Sequence, residues 1–224
     1  MRRILVGIAA VMLLASGSGA ARAEEGAKVE MGIKMWLNQW SLDAPGALSI
    51  TSDSTMLLGP AVEVKFNNPF FVEASYLFST ADYRFSDTGL KSDLQDADLA
   101  LGYMVIPGFG IVAGYKNSSR QNKASGGTST LDGPYLGVAG TAQADESLSV
   151  YGKLNYLFTR FKGTDASGGF REDSPGWIFD FGLKYALTKE FSGVIGYRLE
   201  TDKGVDTGAR DTFAGFTVSG LVTY

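Results

Sequence analysis

The chain has 224 residues with a formal net charge of −4 at pH 7, and it contains neither cysteine nor histidine. The missing cysteines exclude disulfide bonds, and the excess of acidic residues argues against nucleic acid as a partner, because phosphate binding needs a basic surface. The missing histidines remove the most common general base and zinc ligand. The composition therefore predicts no enzyme, no metal site and no cofactor.

The chain begins with the pattern of a secretory signal peptide. Two arginines precede a short apolar run, and the small-residue sequence Ala21-Arg22-Ala23 follows it as a cleavage site. The apolar run of about 12 residues is too short for a membrane-spanning helix, which needs about 20. We therefore expect residues 1–23 to be removed and residues 24–224 to form one mature domain. An uncleaved amphipathic start is the alternative.

Beyond this segment, apolar residues occupy every second position over long stretches. Phe179, Phe181 and Leu183, for example, alternate with Asp180 and Gly182. Alternate residues of a β-strand point to opposite faces, so each stretch has one apolar and one polar face. The pattern predicts ten strands, at 28–39, 57–66, 70–81, 96–105, 109–117, 135–142, 148–161, 177–186, 191–200 and 212–224.

The predicted connections alternate between short turns and long polar loops. The turns lie at 67–69, 106–108, 143–146 and 187–190. The loops lie at 41–56, 84–95, 118–132, 162–176 and 202–211. Short periplasmic turns and longer extracellular loops are typical of outer-membrane barrels. The sequence thus predicts an all-β fold, a ten-stranded antiparallel up-and-down transmembrane β-barrel, with an eight-stranded barrel as the alternative.

Two features of the strands favour lipid rather than water on the apolar face. Aromatic residues of that face cluster at both strand ends, as in the belts that mark the two membrane–water interfaces. The polar face carries many glycines, which suit a narrow lumen better than a solvated surface. A secreted water-soluble barrel, with its apolar face turned inward, is the alternative.

These features together resemble a known class of membrane proteins. The signal peptide, the alternation, the turn and loop asymmetry and the C-terminal Leu221-Val222-Thr223-Tyr224 are similar to the small Gram-negative outer-membrane β-barrel proteins, the class that includes the OmpA transmembrane domain and OmpW. The resemblance implies residence in the outer membrane of a Gram-negative bacterium, contact with its lipid, and recognition of Tyr224 by the barrel-assembly machinery. Ten strands differ from the eight of those two relatives.

The polar face would line the lumen and carries charges of both signs in equal number. The basic residues are Lys28, Lys34, Lys65, Lys116, Lys153, Lys184 and Arg198. The acidic residues are Glu30, Glu63, Glu73, Asp96, Asp98, Asp180 and Glu200. Unpaired charges in a confined interior cost several kcal/mol each, so we predict a lumen ion-pair network that plugs the barrel. A narrow hydrated pore is the alternative.

Other candidate residues are interpreted as structural. Trp36 and Trp40 have the inward parity at the outer end of the first strand, where they either pack the rim or line a small apolar pocket. Asp96 and Asp98 share one face, where carboxylate pairs can perform acid–base chemistry, but the opposing lysines favour ion pairs. Asp202, Asp206 and Asp211 do not have the spacing of a calcium loop. No catalytic residue and no metal ligand is predicted.

The predicted function is that of an integral outer-membrane barrel, either a structural envelope protein or a narrow passive pore for small solutes. Two alternatives stay open. The first is a surface adhesion or binding protein that recognises a ligand through its extracellular loops. The second is an OmpW-like carrier of small hydrophobic molecules.

Overall fold

The computed structural model describes residues 27–47, 49–85, 88–123, 125–165 and 168–224, so the predicted signal peptide lies outside the described residues. The described residues contain no helix, and therefore none that is long and apolar enough to cross a membrane. They form fourteen strands: β1 (Ala27–Asp43), β2 (Ile50–Thr51), β3 (Thr55–Phe66), β4 (Phe70–Ser79), β5 (Tyr83–Phe85), β6 (Leu90–Ile106), β7 (Phe109–Asn122), β8 (Thr128–Gln143), β9 (Leu148–Leu157), β10 (Arg160–Asp165), β11 (Gly168–Asp173), β12 (Gly176–Ala186), β13 (Phe191–Lys203) and β14 (Arg210–Thr223).

The fourteen strands of the described residues combine into ten barrel strands. Short interruptions split four of these into the pairs β2–β3, β4–β5, β9–β10 and β11–β12. Each barrel strand pairs antiparallel with the next one along the chain. The first strand, β1, then pairs with the last, β14, from Glu30 opposite Thr223 to Asp43 opposite Arg210. This pairing closes the sheet and confirms ten strands rather than eight.

Short turns close one end of the barrel, and side chains accept hydrogen bonds within them. The Asn68 Oδ1 atom accepts a hydrogen bond from the Phe70 backbone N–H at 3.0 Å. The Asp145 carboxylate accepts hydrogen bonds from the backbone N–H groups of Ser147 and Leu148, at 2.8 and 2.7 Å, which hold the pKa of Asp145 below its ordinary value. Such side chains mimic the backbone of a turn and keep the connection short. We call this end the turn end and the opposite one the loop end.

At the loop end, the strands extend far into the segments predicted as loops. β6 begins at Leu90 and β7 ends at Asn122, while β10 and β11 form a hairpin over 160–173, most of which was predicted as a loop. The predicted loop boundaries are therefore wrong. β6 and β1 each have 17 residues, although about 9–11 suffice to cross a membrane. Beyond the membrane water contacts the outer face as well, so both faces are polar and the alternation that reveals a strand is lost.

The apolar face points outward. Leu99, Leu183 and Ile195 expose 45%, 43% and 56% of their surface, whereas Asp96 and Asp180, which have the opposite parity, are buried in the lumen. An apolar outer wall around a charged interior is the reverse of a water-soluble barrel, and lipid is the environment in which it is stable. The alternative of a secreted water-soluble barrel is thereby excluded.

Candidate functional site in the barrel lumen

Four charged side chains meet in the lumen, and we call Asp96, Lys116, Arg198 and Glu200 the charged belt. All four are almost completely buried. The Lys116 Nζ atom lies 2.5 Å from Asp96 Oδ1 and 3.0 Å from Glu200 Oε2. The Arg198 Nη2 atom lies 3.2 Å from Glu200 Oε2 and 3.9 Å from Asp96 Oδ2. Each cation therefore contacts both anions, which compensates part of the cost of removing four charges from water.

Next to the belt, apolar side chains from several strands fill the lumen, and we call them the aromatic plug. Trp40 stacks on Phe213 with ring centroids 5.2 Å apart and meets Phe85 and Tyr83 edge-on at 5.0 and 5.8 Å. The Tyr83 hydroxyl donates a hydrogen bond to Asn38 Oδ1 at 2.7 Å, so its polar tip is satisfied. The members of the plug are Trp36, Trp40, Leu57, Leu77, Tyr83, Phe85, Leu94 and Phe213.

The belt and the plug separate two cavities. The Arg198 guanidinium lies 5.0 Å from the ring centre of Trp36, so the belt and the plug are in direct contact. Arg198 also lines a cavity of about 440 Å³ that reaches the turn residues Asn68 and Pro69, which we call the turn-end cavity. On the other side, Trp40 lines a cavity of about 250 Å³ at the loop end, which we call the mouth pocket.

The predicted lumen residues outside the belt lie on the inner face, at the turn-end cavity or between it and the strand ends. Each contacts an opposite charge, except Asp98, which contacts a hydroxyl group. The lysines nearest the strand ends, Lys28 and Lys65, remain half exposed, so this part of the lumen is hydrated. The contacts are those of Lys28 and Lys184 with Glu30, of Lys65 with Glu63, of Lys153 with Glu73, of Lys34 with Asp180, and of the Tyr135 hydroxyl with Asp98.

A second buried ion cluster was not predicted from the sequence, and we call Arg120, Asp202 and Asp211 the rim cluster. Arg120 Nη1 lies 2.5 Å from Asp211 Oδ2, and Arg120 Nη2 lies 3.8 Å from Asp202 Oδ1. Ser174 Oγ donates a hydrogen bond to Asp202 at 2.8 Å, and Trp40 Nε1 donates one to Asp211 at 2.7 Å. All three charged residues fall in segments predicted as loops. Each has the same parity as an inward residue of its own strand: Arg120 as Lys116, Asp202 as Arg198, and Asp211 as Phe213. Following this parity beyond the predicted strand ends would have found all three.

The described residues contain no group of three or more acidic side chains placed to hold a metal ion. Asp202 and Asp211 face Arg120 instead. Asp206 contributes its backbone N–H, which donates a hydrogen bond to Glu172 at 3.2 Å. The arrangement thus supports ion pairing and hydrogen bonding at the rim.

Comparison with known proteins agrees with this architecture. A family model described as outer membrane protein beta-barrel domain matches residues 78–220, which is more than half of the chain. The outer membrane protease OmpT from Escherichia coli has a similar structure, with a TM-score of 0.60 at 10% identity, over 90% of this chain and 97% of that chain. The attachment invasion locus protein Ail of Yersinia pestis matches with a TM-score of 0.35 at 13% identity, over 87% and 98% of the two chains. The toluene transporter TodX of P. putida matches with a TM-score of 0.33 at 8% identity, over 90% of each.

No curated protein sequence matches the chain. At 10% identity the likeness to OmpT concerns the fold alone, and it adds an independent observation of the same barrel architecture. The family match covers β6 to β13 completely, together with most of β14, so it rests on the same strands that build the closed barrel. The chain belongs to the outer membrane protein beta-barrel domain family, and it is an outer-membrane protein.

Proposed function

We propose that this protein is a sealed structural barrel of the outer membrane, which passes neither ions nor small solutes. The observation that carries the proposal is the pair of layers across the lumen, the charged belt and the aromatic plug. Lys116 has no exposed surface, and Trp36, which contacts the belt, exposes only 1%. A ten-stranded barrel has little room beyond its own side chains, so two filled layers suffice to block it.

The energetics of the belt favour the sealed barrel over the narrow pore. An ion crossing the lumen would have to displace Lys116 or Arg198 from the two carboxylates that each contacts. Breaking a buried ion pair costs several kcal/mol because it leaves an uncompensated charge. The turn-end cavity is lined by groups that tolerate water, but it ends at this belt.

We also propose that the barrel is not an enzyme. The sequence contains no histidine to act as a general base. The two neighbouring inward carboxylates are already engaged, Asp96 with Lys116 and Asp98 with the Tyr135 hydroxyl. The similarity to a protease concerns the shared barrel and brings no catalytic group with it.

Two further proposals concern export and assembly. Residues 1–23 would act as a signal peptide and be removed. Tyr224 would then be the signal for the barrel-assembly machinery. Its backbone N–H donates a hydrogen bond to the Val29 carbonyl at 2.8 Å at the turn end, while its side chain is exposed. An exposed terminal aromatic side chain on the periplasmic side is accessible to an assembly factor.

A second candidate function is recognition at the cell surface. It is favoured by the way in which the connections at the loop end are held. The strands continue beyond the membrane and hold the connections at the loop end in place. Glu172 accepts hydrogen bonds from the backbone N–H groups of Asp206 and Thr207 at 3.2 and 3.0 Å, and from the Thr207 hydroxyl. A rim held in this way can present a binding surface without the entropy loss of ordering a loop.

Conductance of the refolded protein in a planar lipid bilayer tests the sealed barrel. We expect no steady unitary conductance from the unsubstituted protein. A triple variant, Trp36→Ala with Lys116→Ala and Glu200→Ala, removes one cation, one anion and one ring of the plug, so it should open a hydrated path and conduct.

The matched control is Trp177→Ala, because Trp177 points outward and exposes 48% of its surface. This variant should remain silent, and a heat-dependent shift on gels verifies that each variant is folded. Steady conductance steps in the unsubstituted protein would contradict the proposal.

A further inference from the structure

At the loop end, exposed cations stand directly opposite one another across neighbouring strands, and we call them the basic girdle. The strand registers form three such pairs: Arg84 with Lys91, Lys162 with Arg171, and Lys203 with Arg210. All six side chains are exposed. Like charges directly opposite each other destabilise a sheet, so each pair costs free energy unless an anion compensates it.

The girdle lies on the outer face of the barrel. Lys203 has the same parity as Ile195, which is exposed on the outer wall. Arg84 lies between Tyr83 and Phe85, which point into the aromatic plug, so its own side chain points outward. Each of the other four cations is followed in its strand by a buried residue. The girdle therefore faces the surroundings of the barrel and not its lumen.

The rest of the loop end supplies few anions to the girdle. Lys162 pairs with Asp132, but the other five cations have no ion-pair partner among the described residues. The neighbouring carboxylates of Asp93 and Asp173 form ion pairs with cations outside the girdle. The chain has 24 acidic and 20 basic residues, so this lack of anions is local and does not follow from the composition.

The Lys203–Arg210 pair shows this lack most clearly. Asp43 lies opposite Arg210 on the neighbouring strand β1. Its carboxylate accepts a hydrogen bond from the Ser49 hydroxyl, and no ion pair joins it to either cation of the pair. Two opposed cations thus remain uncompensated by the described part of the chain, and an anion from outside would stabilise them.

The same pair lies at the level of the lipid headgroups. Trp177, whose position is typical of the membrane–water interface, lies opposite Thr201, two residues before Lys203. Two residues of a strand rise about 7 Å, a distance over which a lysine or arginine side chain can bend back towards the membrane. The hydroxyl groups of Thr201 and Thr212 lie 3.3 Å apart on this path and offer further hydrogen bonds.

We infer that the basic girdle binds anionic lipid headgroups of the outer leaflet, with one phosphate group held between the two cations of a pair. Opposite residues of two strands have Cβ atoms about 5 Å apart, so both side chains reach the same phosphate. Arginine offers a planar fork to two phosphate oxygens, and lysine adds a point charge. Basic residues next to a membrane are attracted to anionic lipid in the same way.

This inference goes beyond the sealed barrel and does not depend on it. The girdle lies on the outer wall, whereas the belt and the plug lie in the lumen. A conducting barrel could bind the same lipid, so conductance and lipid binding are separate measurements whose failures can be told apart.

Trp177 is a local reporter for the lipid next to the Lys203–Arg210 pair, because the other two tryptophans lie in the aromatic plug. The full barrel is reconstituted in phosphatidylcholine vesicles that contain a minor fraction of brominated phosphatidic acid or, separately, the same fraction of brominated phosphatidylcholine. Phosphatidic acid should occupy the site near Trp177 at least about tenfold more often than phosphatidylcholine. Equal quenching by the two lipids would overturn the inference.

Substitution of the pair locates the site. The double variant Lys203→Gln with Arg210→Gln removes both charges while keeping long polar side chains. Its preference for phosphatidic acid at Trp177 should fall to within about twofold of none, because headgroup attraction depends on the cations. An unchanged preference would place the lipid elsewhere and overturn the inference.

The matched control is Arg84→Gln with Lys91→Gln, which removes the same two charges from the opposite side of the barrel. It should leave the preference at Trp177 unchanged. An equal fall in this control would mean that overall charge attracts the lipid, which would overturn binding at opposed pairs. All four positions are exposed, and the heat-dependent gel shift verifies that both variants are folded.

A soluble polyanion distinguishes lipid from other sources of negative charge. Dextran sulfate is titrated into the barrel in vesicles of phosphatidylcholine alone. It should bind no more weakly to the Lys203→Gln, Arg210→Gln variant than to the unsubstituted protein, because the pair lies at headgroup level. Binding of dextran sulfate that requires this pair, without a preference for phosphatidic acid, would assign the girdle to a polyanion in solution and overturn the inference.

Discussion

Whether a side chain is buried follows from its parity along the strand. Asp96 is buried in the lumen while Leu99 faces outward with 45% of its surface exposed. In a water-soluble protein the positions of these two side chains would be reversed, but here lipid is the solvent of the outer face. The charged residues inside are stable only because each finds partners, as Lys116 does with Asp96 and Glu200. Single substitutions of the belt should therefore have large effects.

Lys116→Met tests this dependence. The substitution keeps the side-chain volume but leaves Asp96 and Glu200 with Arg198 as their remaining cation in the belt, so we expect a loss of about 3–5 kcal/mol in the free energy of unfolding. Denaturant unfolding of the protein from lipid vesicles measures it. The control, Lys162→Met, breaks an exposed ion pair with Asp132 and should cost less than about 1 kcal/mol. Similar small losses in both variants would mean that water reaches the belt.

Among the elements, the pairing of β1 with β14 distinguishes a barrel from an open sheet. It joins the first and last strands, and its close approach depends on glycine at one position. A methyl group added at Gly32 would lie 1.8 Å from the carbonyl oxygen of Gly220. No heavy atom lies within 4 Å of a methyl group added at Gly220, which points outward. The inner face of this pairing therefore tolerates no side chain at Gly32, whereas the lipid face tolerates one at Gly220.

Gly32→Ala should therefore hinder closure of the barrel. The backbone must shift to accommodate the methyl group, and we expect a destabilisation of about 1–3 kcal/mol with a lower refolding yield. The fraction of protein with the heat-dependent gel shift measures closure. Gly220→Ala is the matched control on the same strand pair and should refold like the unsubstituted protein. Equal yields for the two variants would argue against a tight β1–β14 pairing.

For the whole molecule, the layered lumen and the apolar wall place the three tryptophans in different environments. Trp36 and Trp40 lie in the aromatic plug, shielded from lipid, whereas Trp177 points outward near the loop end. Tryptophan side chains in that position are typical of the membrane–water interface. The fluorescence of the protein in lipid should therefore report two populations.

Quenching by brominated lipids tests this placement. Trp177→Phe should remove most of the quenchable emission, because its indole contacts lipid. Trp36→Phe and Trp40→Phe are the matched controls. They should lower the total emission but leave the emission that brominated lipids quench unchanged. If quenching persists in Trp177→Phe, then a lumen tryptophan faces lipid and the assigned orientation is wrong.

Much of the architecture follows from the sequence by itself. The alternation at Phe179, Asp180 and Phe181, repeated along the chain, determines the strand number, the lipid-facing side and the turn end, because alternation is a local property of each strand. The same parity selects inward charges such as Lys116 and Glu200. These features require no knowledge of which strands lie opposite one another across the lumen.

Only the tertiary structure decided which charges meet and how far the barrel extends. Lys184 contacts Glu30, 154 residues away along the chain, because barrel closure and stagger bring their strands together, and local periodicity contains no information on this. Arg120, Asp202 and Asp211 joined the site because their strands continue beyond the membrane, where both faces are polar and the periodic signal ends. The filling of the lumen likewise depends on how side chains from opposite walls pack together.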